Sequence, residues 1–171
     1  MRHTISVLVE NEFGVLARVA GLFSGRGFNI ESLTVAETLD PTVSRITLVT
    51  RGEDQVLEQV EKQLNKLVSV IKVMDFTESP HVEREMALIK VTADEKSRAE
   101  VINIIDIFRG KVIDVGPRSY IVEVTGDEGK IQALLELLAP LGIKEIARTG
   151  KVAMHRGMSL LSAKEGKEKA A

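Results

Sequence analysis

The chain has 171 residues, of which 44% are hydrophobic and 28% charged, with a formal net charge of −2. That is enough apolar surface for one large core or two small ones, and the near-neutral balance supplies no electrostatic drive toward nucleic acid or anionic membrane. Cysteine is absent, which excludes disulfides, iron–sulfur clusters, thiolate zinc and cysteine nucleophiles.

The N-terminus reads straight into a strand, without a basic leader, an apolar signal core or an apolar run of membrane-spanning length. The expectation is therefore a cytoplasmic protein with no membrane partner. Ile5, Val7 and Val9 alternate with Thr4, Ser6 and Leu8, as in a strand with one face more deeply buried than the other. Val15, Leu16, Val19, Leu22 and Phe23 then recur at helical spacing, and Gly25-Arg26-Gly27 supplies a stop. Phe28 to Thr38 and Val43 to Arg51 are β-rich and flank the turn Leu39-Asp40-Pro41-Thr42. A second helix fits Glu53 to Leu67, with Val56, Val60, Leu64 and Leu67 in one stripe and Glu58 and Lys62 as an i,i+4 pair. Val70 to Thr77 is the fourth strand.

After the polar stretch Glu78-Ser79-Pro80-His81-Val82-Glu83 the same order begins again. Met86 to Ala93 is a strand and Lys96 to Phe108 a helix, with Arg109 and Gly110 closing it and glycine suited to the C′ position. Lys111 to Val115 and Tyr120 to Thr125 are strands around the turn Gly116-Pro117-Arg118. Gly129 to Ala139 is a helix and Ile143 to Arg148 the last main strand. The order β-α-β-β-α-β, twice over, predicts an α+β fold of two tandem ferredoxin-like domains. We place the first at 1–78, a linker at 79–84, the second at 85–160 and a charged, flexible tail at 161–171.

The two copies differ at the turn into their first helix. In the first, Asn11-Glu12-Phe13-Gly14 leads into Val15 and Leu16, and a helix entered this way offers free N–H groups and a partial positive charge to a small carboxylate. In the second, Ala93-Asp94-Glu95-Lys96-Ser97 places carboxylates there instead, which would repel such a ligand. The candidate ligand-binding residues are Asn11, Gly14, Val15, Leu16, Asn29 and Ile30, with Asn29 and Ile30 opening the second strand. We expect the first-strand turn, the helix it opens and the start of the second strand to converge at one end of the fold. The second strand lies at a sheet edge, so its Ile30, Leu33 and Val35 predict pairing with a second copy. Such a dimer would bring Asn29 of one chain near the Asn11 to Gly14 turn of the other.

No catalytic or metal-binding set emerges. His3, His81 and His155 are scattered, without a partner at i+3 or i+4, and read as solvated or lightly packed. Asp106, Asp114 and Glu123 lack a histidine, cysteine or paired motif and read as surface or hydrogen-bonded acids. Gly21, Gly25 and Gly27 lie within and after a helix, whereas a dinucleotide fingerprint opens one.

Several stretches carry a resemblance: Val9-Glu10-Asn11-Glu12-Phe13-Gly14-Val15-Leu16, Arg26-Gly27-Phe28-Asn29-Ile30-Glu31-Ser32-Leu33-Thr34-Val35 and Leu57 to Leu64 in the first domain. His81-Val82-Glu83-Arg84-Glu85 and Ile107-Phe108-Arg109-Gly110-Lys111-Val112-Ile113-Asp114-Val115 add to it in the second. From residue 3 to about 160 the chain resembles the regulatory small subunit of acetolactate synthase (acetohydroxyacid synthase), with an N-terminal ACT domain. The resemblance implies a subunit with no active site and no cofactor of its own. It implies a homodimer through the ACT domain that activates a catalytic large subunit using thiamine diphosphate, Mg²⁺ and FAD. It also implies feedback inhibition of branched-chain amino acid biosynthesis by valine, with leucine or isoleucine as further effectors, bound between two ACT domains. The family's effector positions fall on Asn11, Gly14 and Asn29, adjoined by Val15, Leu16 and Ile30.

Three other readings stand beside it. An ACT-type sensor could serve another enzyme, separable by copurification. An RNA-binding ferredoxin-like pair would need exposed aromatics and a basic sheet face, against 4% aromatics and a slightly acidic chain. A stand-alone enzyme would have to form acetolactate from pyruvate by itself.

Overall fold

A computed structural model describes residues 2–161. The chain divides into two compact units, one formed by residues up to Val82 together with the chain from Lys151, the other by Glu83–Gly150. In the first, β1 (Arg2–Glu10) leads to α1 (Val15–Ser24), β2 (Ile30–Glu37), β3 (Val43–Arg51), α2 (Asp54–Leu64) and β4 (Val70–Asp75). The strands form an antiparallel sheet in the order β2-β3-β1-β4. Alternation along β1 and β3 sends Ile5, Val7, Val9, Ile46 and Leu48 to one face, where they pack with Val15, Val19 and Phe23 of α1 and Leu57, Val60 and Leu64 of α2. Glu58 and Lys62 face each other across 3.5 Å on the surface of α2, as their spacing requires.

The other face of β1 is also closed. Ser6, Leu8 and Thr47 are each no more than 2% exposed, so the expectation of one weakly buried face is corrected. The cover comes from a strand that sequence reading missed, β9 (Val152–His155), which belongs with the first unit although the second domain was placed at 85–160. Four residues carrying a methionine and a histidine give too short a pattern to announce a strand.

The second unit contains most of β5 (His81–Thr92), then α3 (Arg98–Ile107), β6 (Lys111–Val115), β7 (Ser119–Gly126), α4 (Glu128–Leu138), a short 3-10 turn at Ala139–Leu141 and β8 (Ile143–Arg148). Its antiparallel order, β6-β7-β5-β8, repeats that of the first sheet, and Ile89, Val91, Val122 and Val124 pack beneath Val101, Ile105, Ile131 and Leu134. Two expectations change. The linker at 79–84 is short, because β5 starts at His81. At the end of α3 the left-handed residue is Arg109, with φ 53°, rather than Gly110. The Arg109 N–H donates to Asp106 O and the Gly110 N–H to Ile105 O, a Schellman closure shifted by one residue. Space favours glycine at Gly110, since a Cβ there would lie 3.1 Å from both Glu123 O and the Ile105 side chain and would make them give way. Of the tail expected at 161–171, all but Leu161 lies outside the described residues.

Candidate functional site

Gly14 is the N-cap of α1 with φ 81°, a left-handed conformation that costs an L side chain roughly 1–2 kcal/mol. Nothing lies within 4 Å of a Cβ built there, so conformation rather than room selects glycine. The helix opens without a side-chain cap and without an acid in its first turn. The Val15 N–H reaches back to Glu12 O at 3.4 Å, while those of Leu16 and Ala17 are first-turn groups for which the helix provides no acceptor. Val15 is 3% exposed and anchors the turn to the core; Leu16 is 42% exposed and stands at the surface.

Asn11 is held by the β2–β3 hairpin. Its N–H donates to Thr42 O at 2.8 Å, and its side-chain Nδ2 donates to Pro41 O at 2.9 Å and Glu37 Oε1 at 3.1 Å. The hairpin is itself stiffened by Asp40, whose Oδ1 accepts from the Thr42 N–H and hydroxyl. With both amide hydrogens engaged, the Asn11 oxygen is left to accept.

Asn29 and Ile30 lie elsewhere. Ile30 pairs with Thr50, and Thr50 pairs with His3 at the start of β1, whereas Glu10 at the end of β1 pairs with Val43. Seven residue steps of about 3.3 Å put the two ends on the order of 23 Å apart. Within one chain, therefore, the turn at Asn11–Gly14 and the start of β2 do not converge, which corrects that expectation. The reason is topological: α1 runs antiparallel to β1 and returns the chain to the opposite end of the sheet. Asn29 is exposed, and its carbonyl accepts from the Thr50 hydroxyl at 2.8 Å.

Two hollows flank the Gly14 turn. One, about 370 Å³, is lined by Glu10, Asn11, Glu12, Pro41, Thr42 and neighbouring side chains. The other, about 260 Å³, is lined by Val15, Val19, Leu67 and Val70, with Arg18 and Lys66 contributing cations. The corresponding turn in the second unit is already filled. Asp94 Oδ1 accepts from the Lys96 N–H, the Ser97 N–H and the Ser97 hydroxyl. Hydrogen bonds from the Ser97 backbone and hydroxyl, then from Lys96, lower its carboxyl below the ordinary range.

The histidines are more tightly engaged than expected. His3 is 1% exposed, between the Thr77 hydroxyl and Gly52 O at 3.1 Å each. His81 and His155 flank the Phe76 ring at centroid distances of 5.3 and 4.7 Å. No sequence spacing announces these contacts, which join residues as much as 79 positions apart. Among the described residues no group of three or more His, Cys, Asp or Glu side chains is arranged to hold a metal ion, and no helix is long and apolar enough to cross a membrane.

The structure thus defines a protein of two tandem ferredoxin-like modules, the first opening its helix through an uncapped glycine and the second preceded by a turn tied by an acid. Residues 5–72 match a family model described as the AHAS small subunit-like ACT domain, and residues 84–157 match one described as the small subunit of acetolactate synthase. The chain is 58% identical over 160 residues to the acetolactate synthase small subunit of Aquifex aeolicus, covering 93% of this chain and 83% of that one. It is 59% identical over 157 residues to the probable acetolactate synthase small subunit of Archaeoglobus fulgidus, covering 92% and 98%. The crystal structure of the acetolactate synthase small subunit from Thermotoga maritima superposes with a TM-score of 0.84 at 45% identity, over 93% of this chain and 99% of that one. The chain belongs to the acetolactate synthase small-subunit family.

Proposed function

We propose that this chain is a regulatory, non-catalytic subunit that activates a thiamine-diphosphate-dependent acetolactate synthase large subunit and makes it sensitive to feedback inhibition by valine. The observation that carries the reading is the open N-terminus of α1 behind left-handed Gly14, in a chain whose relatives are named small subunits. Thiamine diphosphate, Mg²⁺ and FAD belong to the large subunit, and the assembly works in the cytoplasm.

In this reading the effector carboxylate takes the Leu16 and Ala17 N–H groups, aided by the positive end of the helix dipole. The Asn11 oxygen accepts from the ammonium. Asn29 completes the site from a second copy. Antiparallel pairing of two β2 edges about a twofold through the strand centre sets Asn29, one residue before β2, opposite Thr38, one residue after it. Thr38 adjoins Glu37, which accepts from Asn11. The separation found within one chain is thus what a twofold seam would close. Charge-assisted hydrogen bonds are worth roughly 1.5–3 kcal/mol each, enough for three to select an α-amino acid. Valine inhibits by binding one arrangement of the seam more tightly than another, with coupling of about 1–3 kcal/mol.

Reconstitution with the large subunit tests this directly: the chain should raise acetolactate production and valine should lower it. Gly14→Asp sets a like charge about 4 Å from the ligand carboxylate, a repulsion of about 1–4 kcal/mol, so inhibition should weaken tenfold or more while activation persists. Gly14→Asn, which tolerates left-handed φ without adding charge, should keep most of the response. Unchanged inhibition in Gly14→Asp would reject the site.

A further inference from the structure

The helix-free face of the first sheet carries an unusual buried stripe of hydroxyls and one guanidinium. Ser6 and Thr47 are 0% and 2% exposed and bonded to each other at 3.1 Å. Beside them stand Ser32 and Thr34 of β2 and Arg45 of β3. A purely structural face would be cheaper to fill with valine and leucine, because every buried polar group must find a partner. The partner is the backbone of the segment Lys151–Arg156.

The contacts of that segment follow the order of the strands. The Lys151 N–H donates to Ser32 Oγ at 3.2 Å, and Thr34 Oγ1 donates to Lys151 O at 2.6 Å, so both backbone groups of Lys151 are bonded to edge strand β2. Arg45 Nη2 of β3 donates to Ala153 O and lies within 3.5 Å of Ser6 Oγ on β1. His155 Nε2 meets Met74 Sδ of β4, and its ring lies on Phe76. The Arg156 N–H donates to Pro80 O. Lys151 and Ala153 point inward, at 5% and 4% exposure, while Val152 and Met154 point outward. Four steps of about 3.3 Å from Lys151 to His155 give ~13 Å, close to the ~14 Å of three inter-strand gaps. The segment is laid across the sheet and tied at both of its edges.

We infer that this strap is a positioning element for edge strand β2, with Ser32 and Thr34 as the residues that hold it, so that the seam between two copies keeps its geometry only while Lys151 is docked. Strand β2 has one strand neighbour, β3, and the strap clamps it from the face opposite Leu33. Thr34 is the key donor. Its hydroxyl also lies 3.4 Å from Thr47 O, but one hydrogen serves one acceptor well and the 2.6 Å bond to Lys151 is the shorter.

The test uses the full chain. Thr34→Val removes the donor at nearly constant shape, Thr34→Ser restores a hydroxyl, and Ser32→Ala removes the second tie. Hydrogen exchange of the β2 amides should quicken roughly tenfold in Thr34→Val and in Ser32→Ala, with α1 and β1 unchanged and Thr34→Ser close to wild type. Dimer dissociation on dilution should shift the same way. Unchanged β2 exchange in both Thr34→Val and Ser32→Ala would overturn the inference, as would equal acceleration throughout the first unit, which marks general loosening. The consequence for valine rests on the function proposed above: the inhibition midpoint should rise several-fold while activation holds. If the wild type ignores valine, that reading fails while the exchange experiment still decides the strap.

Discussion

At Glu61, on α2, a carboxyl sits partly buried near Asp75 of β4 and Glu58 one turn back. Burial first, then Asp75 and Glu58, raise it above the ordinary glutamate range. The folded state therefore holds this proton more tightly than the unfolded chain. The group's contribution is most favourable below the ordinary value and is lost as pH rises through the raised one, leaving an ionised, repelled carboxylate at neutrality. Glu61→Gln should stabilise the first unit at pH 7, by on the order of 0.5 kcal/mol for a site only partly buried, and the gain should vanish at low pH. Thermal melts at pH 7 and pH 4 check both the sign and the disappearance. Residue-scale facts of this kind were mostly hidden from sequence. Gly14 was legible because a left-handed N-cap demands a particular residue, whereas His3, His81 and His155 acquire neighbours only when distant strands meet.

The first helices of the two modules carry opposite solutions to one problem. The turn before α1 leaves the Leu16 and Ala17 N–H groups to solvent or a ligand, whereas before α3 Asp94 ties the turn itself by accepting from the Lys96 and Ser97 N–H groups. Because these bonds depress the Asp94 carboxyl, its stabilisation is present above the ordinary aspartate range and is lost as pH falls through the depressed value. Asp94→Ala should lower the unfolding midpoint of the second unit at neutral pH and converge with wild type in strong acid, read by denaturant titration at both pH values. The helices and most strands were legible because a period of 3.6 or 2 persists over enough residues to be seen. The return strand was not. Its signal is divided between a stripe of serine, threonine and arginine in the first module and a short stretch more than a hundred residues later, and neither half looks unusual alone.

Across the whole molecule, the repeat of β-α-β-β-α-β was readable because each module closes its own core. Convergence of the turn with the start of β2 was not, because it depends on which end of a strand the chain returns to, a property of topology that composition does not record. In the function proposed above, that separation would make each seam pocket composite, one wall from either subunit and two pockets per pair, and so open to complementation. A Gly14→Asp homodimer and an Asn29→Ala homodimer should then each bind valine about tenfold or more weakly than wild type. Co-refolded, they yield hybrids in which both lesions fall in one pocket and the other is wholly wild type. Equal, random mixing restores about a quarter of all pockets. Partial recovery of valine binding by calorimetry in the mixture, absent from either parent, is the expected result.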